Sequence, residues 1–169
     1  NSELMGKDAL HQLSPQGLGQ LAWLERELHD HYRTRCILAY FHRPPFSSGR
    51  FGSPAWVMPI FKKLYKYGAD LYAVGHEHFF AALPPLNPEG KIDQSFGVPG
   101  LIAGTGGAVF FPRPASLRYE EVLIAQTLGV MRITLQPGKY DWVFIPVNPN
   151  DQSASGFGRC HDNPSGYVE

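Results

Sequence analysis

His76 and His78 stand one residue apart in the stretch GHEH, directly after an apolar run, ADLYAV, that Gly75 closes. Neutral imidazole is a preferred ligand for zinc, iron, nickel and copper, so this pair raises the question of a metal site. A polar turn at a strand end would use the same residues more simply. A third histidine, His42, ends another apolar run, CILAYF, and is followed by Arg43 and two prolines. Side chains alternate along an extended segment, so His76 and His78 are expected on one side and Glu77 on the other. Whether His42 joins them depends on the elements that carry all three.

Those elements can be read from capping residues and apolar spacing. In SPQGLGQLAWLERELHDHY, Ser14 suits an N-cap, Pro15 the first helical position, and Leu21, Leu24 and Leu28 recur at helical spacing. A helix is expected over about 15–32. CILAYF then reads as a strand buried on both faces. SPAWVMPIFKKLYKYG repeats the helix signals with Ser53, Pro54 and a closing Gly68, while Pro59 should kink this helix or delay its start. ADLYAVG follows as a second buried strand. Strand, helix, strand at this spacing is a βαβ unit with parallel strands and a right-handed connection. His42 ends the first strand and His76 follows the second, so both fall at the sheet edge where ligands gather in such folds. Three imidazoles are expected to converge there.

Beyond this unit the composition changes. LPPLNPEGKIDQSFGVPG is rich in Pro and Gly and reads as a long excursion or hairpin, and LIAGTGGAVFFPRP places a glycine-rich turn after another short strand. No helix pattern follows GTGG to supply an anion-binding N-terminus, so a structural turn is the better reading. EEVLIAQTLGVMRITLQPGKYDWVFIPV reads as three antiparallel strands, with turns near Thr127–Leu128–Gly129 and Gln136–Pro137–Gly138. Residues 1–150 are expected to form one domain unit and 151–169 a C-terminal tail rich in Gly, Ser, Asn and Asp. A chain of 169 residues fits a single domain. Lys plus Arg and Asp plus Glu each number 15, and no basic block marks a nucleic-acid or anionic-membrane partner. No apolar run approaches the roughly 20 residues of a membrane span, so a soluble segment is expected. Cys36 and Cys160 lie far apart, which leaves both a disulfide and two separate thiols open.

Taken together, these residues resemble the calcineurin-like, or purple acid phosphatase-like, metallophosphoesterases. That family closes its ligand set with a strand-end His and a G-H-x-H, matched here by His42 in LAYFHRPPFSSG and by Gly75, His76 and His78. QLAWLERELHDH, GADLYAVGHEH, IAGTGGA, TLGVMRITLQPGKYDWVFIPV and GRCH also resemble secreted bacterial members. The resemblance implies an α/β (α+β) fold, part of a four-layer sandwich, with a βαβ unit followed by antiparallel strands. It implies metal-assisted hydrolysis of a phosphate ester by two cations, Fe, Zn or Mn. His42 and His76 would bind one and His78 the other, with Arg43 contacting the substrate phosphate. It also implies a secreted or periplasmic location and favours a Cys36–Cys160 bridge.

Three motifs of the family, D-x-H, G-D and G-N-H-[DE], are not found in this sequence. The opening NSELMG looks like the end of a central strand, so the resemblance implies a C-terminal half that is inactive alone and partnered by an N-terminal half. Asp70, before its strand, and Glu77, facing away, are poorly placed to replace the family's carboxylates. Phe51 occupies a region where relatives often carry another histidine. Two other readings stay open: a mononuclear zinc hydrolase using His42, His76 and His78 with water as fourth ligand, and a non-catalytic binding module with a vestigial site.

Overall fold

A computed structural model describes residues 13–32 and 36–160. The first helix, α1 (Pro15–His31), starts as its sequence requires, with the Ser14 side chain accepting a hydrogen bond from Gly17 N at 3.0 Å and Pro15 in the first turn. Leu21 and Leu28 are its buried positions. The second helix, α2 (Met58–Lys66), is delayed by a 3₁₀ turn at Ala55–Val57, and Pro59 falls in the first turn of α2, where no amide is needed. Ser53 does not cap it, because its hydroxyl instead accepts from Ser47 N at 2.9 Å. Gly68 closes α2 in the left-handed region, at φ 66°.

The two helices cover one face of a five-stranded mixed sheet built from β1 (Leu38–Tyr40), β2 (Leu71–Val74), β3 (Phe79–Leu86), β4 (Val98–Ala103) and β5 (Val122–Ala125), in the order β1-β2-β4-β3-β5. The strands β1, β2 and β4 are mutually parallel, and β3 runs antiparallel between β4 and β5. The βαβ unit is therefore present. Alternation sorts the sheet residues: Tyr72, Val74, Phe79, Ala81 and Ile102 meet the helices, whereas Leu71, Phe80, Ala82, Leu101 and Ile124 face the opposite way.

That opposite face packs on a three-stranded antiparallel sheet of β6 (Gly129–Gln136), β7 (Lys139–Pro146) and β8 (Ala154–Arg159), chiefly through Tyr140 and Phe144. Aromatic rings in β7 lie over glycines in β8: a Cβ on Gly158 would meet the Tyr140 ring at 2.3 Å, and one on Gly156 the Trp142 ring at 2.6 Å. Those glycines leave the space that the rings occupy.

Four differences from the sequence reading have physical causes. CILAYF yields a three-residue edge strand with Tyr40 84% exposed, not a strand buried on both faces, because β1 has only β2 beside it among the described residues. FFAA, unassigned from sequence, and LPPL, read as the start of an excursion or hairpin, together form the long strand β3, whose two prolines sit where the pairing with β4 slips between Leu83 and Leu86. Of the three strands expected in the 120–147 stretch, the first, β5, belongs to the mixed sheet. Within the segment of tail-like composition, Ala154–Arg159 forms β8. The NSELMG opening and His161 of GRCH lie outside the described residues. Cys36 and Cys160 are joined by a disulfide with Cα atoms 5.2 Å apart, tying the start of β1 to the end of β8.

Candidate functional site

Parallel pairing carries β1 and β2 to a common edge, and it continues one step beyond them. Phe41 N donates to Ala73 O at 3.1 Å and Gly75 N to His42 O at 3.0 Å, which sets His42 beside Gly75. The segment after β2 is not extended. Glu77 N donates to Gly75 O at 2.8 Å and Phe79 N to Glu77 O at 2.9 Å, making two successive tight turns, with His76 in the left-handed region at φ 65°. A histidine tolerates that region better than a branched residue, at a cost of about 1 kcal/mol or more. The outcome expected from simple alternation still results: His76 and His78 line one cavity and Glu77 is directed elsewhere.

The cavity encloses about 420 Å³ and is lined by His42, His76, His78 and glycines 75, 104 and 106. His42 Nε2 and His76 Nδ1 stand 3.0 Å apart, their rings nearly perpendicular at 76°. This is the separation of a hydrogen bond between neutral rings. It also falls within the roughly 2.9–3.4 Å kept by two nitrogens that bind one ion at about 2.0–2.1 Å. His78 Nδ1 is 2.5 Å from Val109 O. A carbonyl only accepts, so Nδ1 donates and the neutral ring keeps its lone pair on Nε2, the arrangement by which backbone carbonyls fix ligand histidines. The chemistry of these donors fits a metal.

The three imidazoles share the cavity without closing on one point. Among the described residues, no three His, Cys, Asp or Glu side chains are gathered closely enough to hold a metal ion. The mononuclear three-histidine site is therefore not formed here, and the expected convergence is limited to His42 and His76. Arg43 does not line the cavity; its guanidinium lies 5.4 Å from the centre of the Trp56 ring. Asp70 sits at the far end of β2, where its carboxylate accepts from Ile37 N at 2.7 Å.

Two buried acids that sequence reasoning gave no role shape the wall of the cavity. Glu77, fully buried, accepts through Oε1 from Phe51 N at 2.9 Å and from the Ser47 hydroxyl at 3.3 Å. Burial holds its carboxyl above the usual range, opposed by the Phe51 amide and the Ser47 hydroxyl, which favour the ionised form. Glu120 accepts from both the amide and the hydroxyl of Ser48 at 2.6 Å. Burial pushes the Tyr72 phenol well up, and the charge of Glu120 adds to that. Together the acids hold the loop at 47–52 against the sheet and lay Phe51 on His76, with ring centres 4.4 Å apart.

Phe111, arriving from the long turn after β4, stacks on His78 at 4.4 Å and 13° and meets Phe51 at 5.5 Å. The guanidinium of Arg50 lies 4.9 Å from the centre of the Phe111 ring. Nothing local in the sequence signals these pairings, which bring together residues far apart in the chain. The GTGG turn lines the cavity through Gly104 and Gly106 and is also tied into the fold. A Cβ on Gly104 would come within 1.9 Å of Glu77 O, and the Thr105 hydroxyl donates to Gly129 O at 2.8 Å, fastening the turn to β6.

No protein-family profile matches the chain. An acid phosphatase from Aspergillus ficuum is 36% identical over 79 residues, which cover 45% of this chain and 13% of that protein. Among solved structures, the chain resembles GAP50, the anchor in the inner membrane complex of Plasmodium, with a TM-score of 0.74 at 12% identity over 88% of this chain and 44% of that one. It also resembles the purple acid phosphatase PPD1 from yellow lupin (Lupinus luteus) seeds, with a TM-score of 0.71 at 16% identity over 87% of this chain and 29% of that one. The chain thus has a purple acid phosphatase-like fold and spans less than half the length of each of these three proteins.

Proposed function

We propose that this chain is the histidine-bearing part of a metal-dependent phosphoester hydrolase, with the remaining ligands supplied from outside the segment described. The observation that carries the reading is the His42–His76 pair, 3.0 Å apart in a cavity that also holds His78, at the edge where the parallel strands end. His42 and His76 would hold one cation of a pair, and His78, through Nε2, the other. Bound cations supply Lewis acidity toward the phosphate and lower the pKa of a water. The chain's own residues orient the imidazoles through Val109 O and the loop held by Glu77, and Phe51 and Phe111 limit solvent on one side. The similarity to an acid phosphatase and the shared fold support phosphate esters as substrates. The Cys36–Cys160 bridge supports a secreted or periplasmic location.

A second reading, a binding module that keeps the fold without turnover, is favoured by the lack of a three-ligand group among the described residues. Metal analysis of the full-length protein, run beside hydrolysis of a chromogenic phosphate monoester, separates the two. The hydrolase reading expects about two metals per chain, turnover lost to chelator, and loss of both in His76→Ala. Metal content unchanged in that variant, or no turnover with metal bound, refutes it.

A further inference from the structure

We infer that the site takes phosphate esters whose organic group is flat and apolar, recognised by Phe51 and Phe111; this rests on the hydrolase reading above. The cavity itself is lined by imidazoles, glycine backbone and the small side chains of Ala103 and Ala108. Its margin carries larger, aromatic groups. Phe51 lies on His76 and Phe111 on His78, and the two phenylalanine rings touch each other edge to face at 77°, so one continuous aromatic wall runs beside both histidines. Phe51 keeps 43% of its surface exposed, and Val109 and Phe110 add exposed apolar area along the same turn. Leaving such surface in water is unfavourable. A planar apolar group entering with its phosphate at the histidines would cover that surface. Arg50, stacked on Phe111, extends the wall and adds positive charge that suits an anionic ester.

The wall is held in place by design of the fold rather than by its own contacts. Phe51 is fixed through its amide to Glu77, and Phe111 through the neighbouring Val109 carbonyl to His78. Rings anchored by their backbone need not reorganise to receive a ligand, which favours discrimination between organic groups.

The test uses the full-length, metal-loaded protein with two pairs of probes: benzyl phosphate against ethyl phosphate as substrates, whose alkoxide leaving groups are similar, and phenylphosphonate against methylphosphonate as ligands measured by calorimetry. The parent is expected to prefer the aromatic member of each pair by about tenfold or more, the worth of one aromatic contact with its buried area. In Phe111→Leu and Phe51→Leu, which keep bulk without a ring, that ratio should fall several-fold, mainly through KM. A parent that hydrolyses both esters with equal kcat/KM overturns this inference and leaves the hydrolase reading standing. A protein that binds phenylphosphonate preferentially yet turns over neither ester keeps the aromatic wall and overturns the hydrolase reading. Equal binding of the two phosphonates, or a ratio unmoved in both variants, overturns the wall.

Discussion

Replacing Gly49 by alanine should break the tie between Glu77 and the loop that carries Phe51. The added Cβ would lie 2.4 Å from the Glu77 carboxyl carbon and from Oε2, and 2.6 Å from Oε1, where 3.4 Å marks ordinary contact. The carboxyl group must therefore retreat by about 1 Å or the loop must lift, in a place where Glu77 is fully buried. Either movement lengthens the bonds from Phe51 N and the Ser47 hydroxyl, now 2.9 and 3.3 Å, beyond bonding distance. Overpacking costs about 1–3 kcal/mol, and a buried carboxyl group left without donors costs a similar amount, so a loss of roughly 2–4 kcal/mol is expected. Urea unfolding measures that loss. The local consequence can be read by proton NMR, because Phe51 lifting from its 4.4 Å contact removes its ring-current shift from His76. Glu77→Asp withdraws the carboxyl group by one methylene, so the double variant should be more stable than the two single losses summed. Stability within about 0.5 kcal/mol of the parent, with an unmoved His76 resonance, would refute this account of the loop.

Two further perturbations act on the scaffold. Reducing the Cys36–Cys160 bridge, or replacing both residues by alanine, frees a loop with a sequence separation of 124. Chain entropy puts the loss at about 5 kcal/mol, read as a lower urea midpoint; a change under about 1 kcal/mol would show that the unfolded chain gains little freedom when the bridge opens. Burial, and then the charge of Asp70, push the Tyr140 phenol up to about 12. The folded chain then keeps a proton that the unfolded chain releases near pH 10, so stability present below pH 10 is lost as pH rises toward 12, by roughly 2–3 kcal/mol. Tyr72, raised by burial, adds to the same trend. In Tyr140→Phe, unfolding free energies at pH 9 and pH 11.5 should differ by less than in the parent, and an equal difference would count against the assignment.

How far the sequence discloses this structure depends on whether a feature is local. Ser14, Pro15 and Gly68 act on their own helices and can be read directly, as can the βαβ unit that brings His42 to Gly75. β3 hides behind Pro84 and Pro85, since the slip in pairing that accommodates them is invisible before its partner is known. β8 hides in its glycines, which read as a tail until Tyr140 and Trp142 are seen to need the space above them. The site divides in the same way. Its histidines have local spacing, but their wall comes from loops at 47–52 and 105–119, and only the folded sheet reveals that Glu77 faces one of those loops.

The bridge between Cys36 and Cys160 also gives the molecule a topology that its linear order conceals. Everything from the first strand of the mixed sheet to the last strand of the antiparallel one lies within a closed covalent ring, with both sheets and the histidine cavity inside it. A single break at the exposed turn around residues 112–118 opens that ring without parting it. Nicked in this way, the polypeptide remains one molecule under non-reducing conditions. The same closure makes this turn a place where new chain ends could be introduced, as in a circular permutant, with the strands before the turn and those after it kept joined by sulfur.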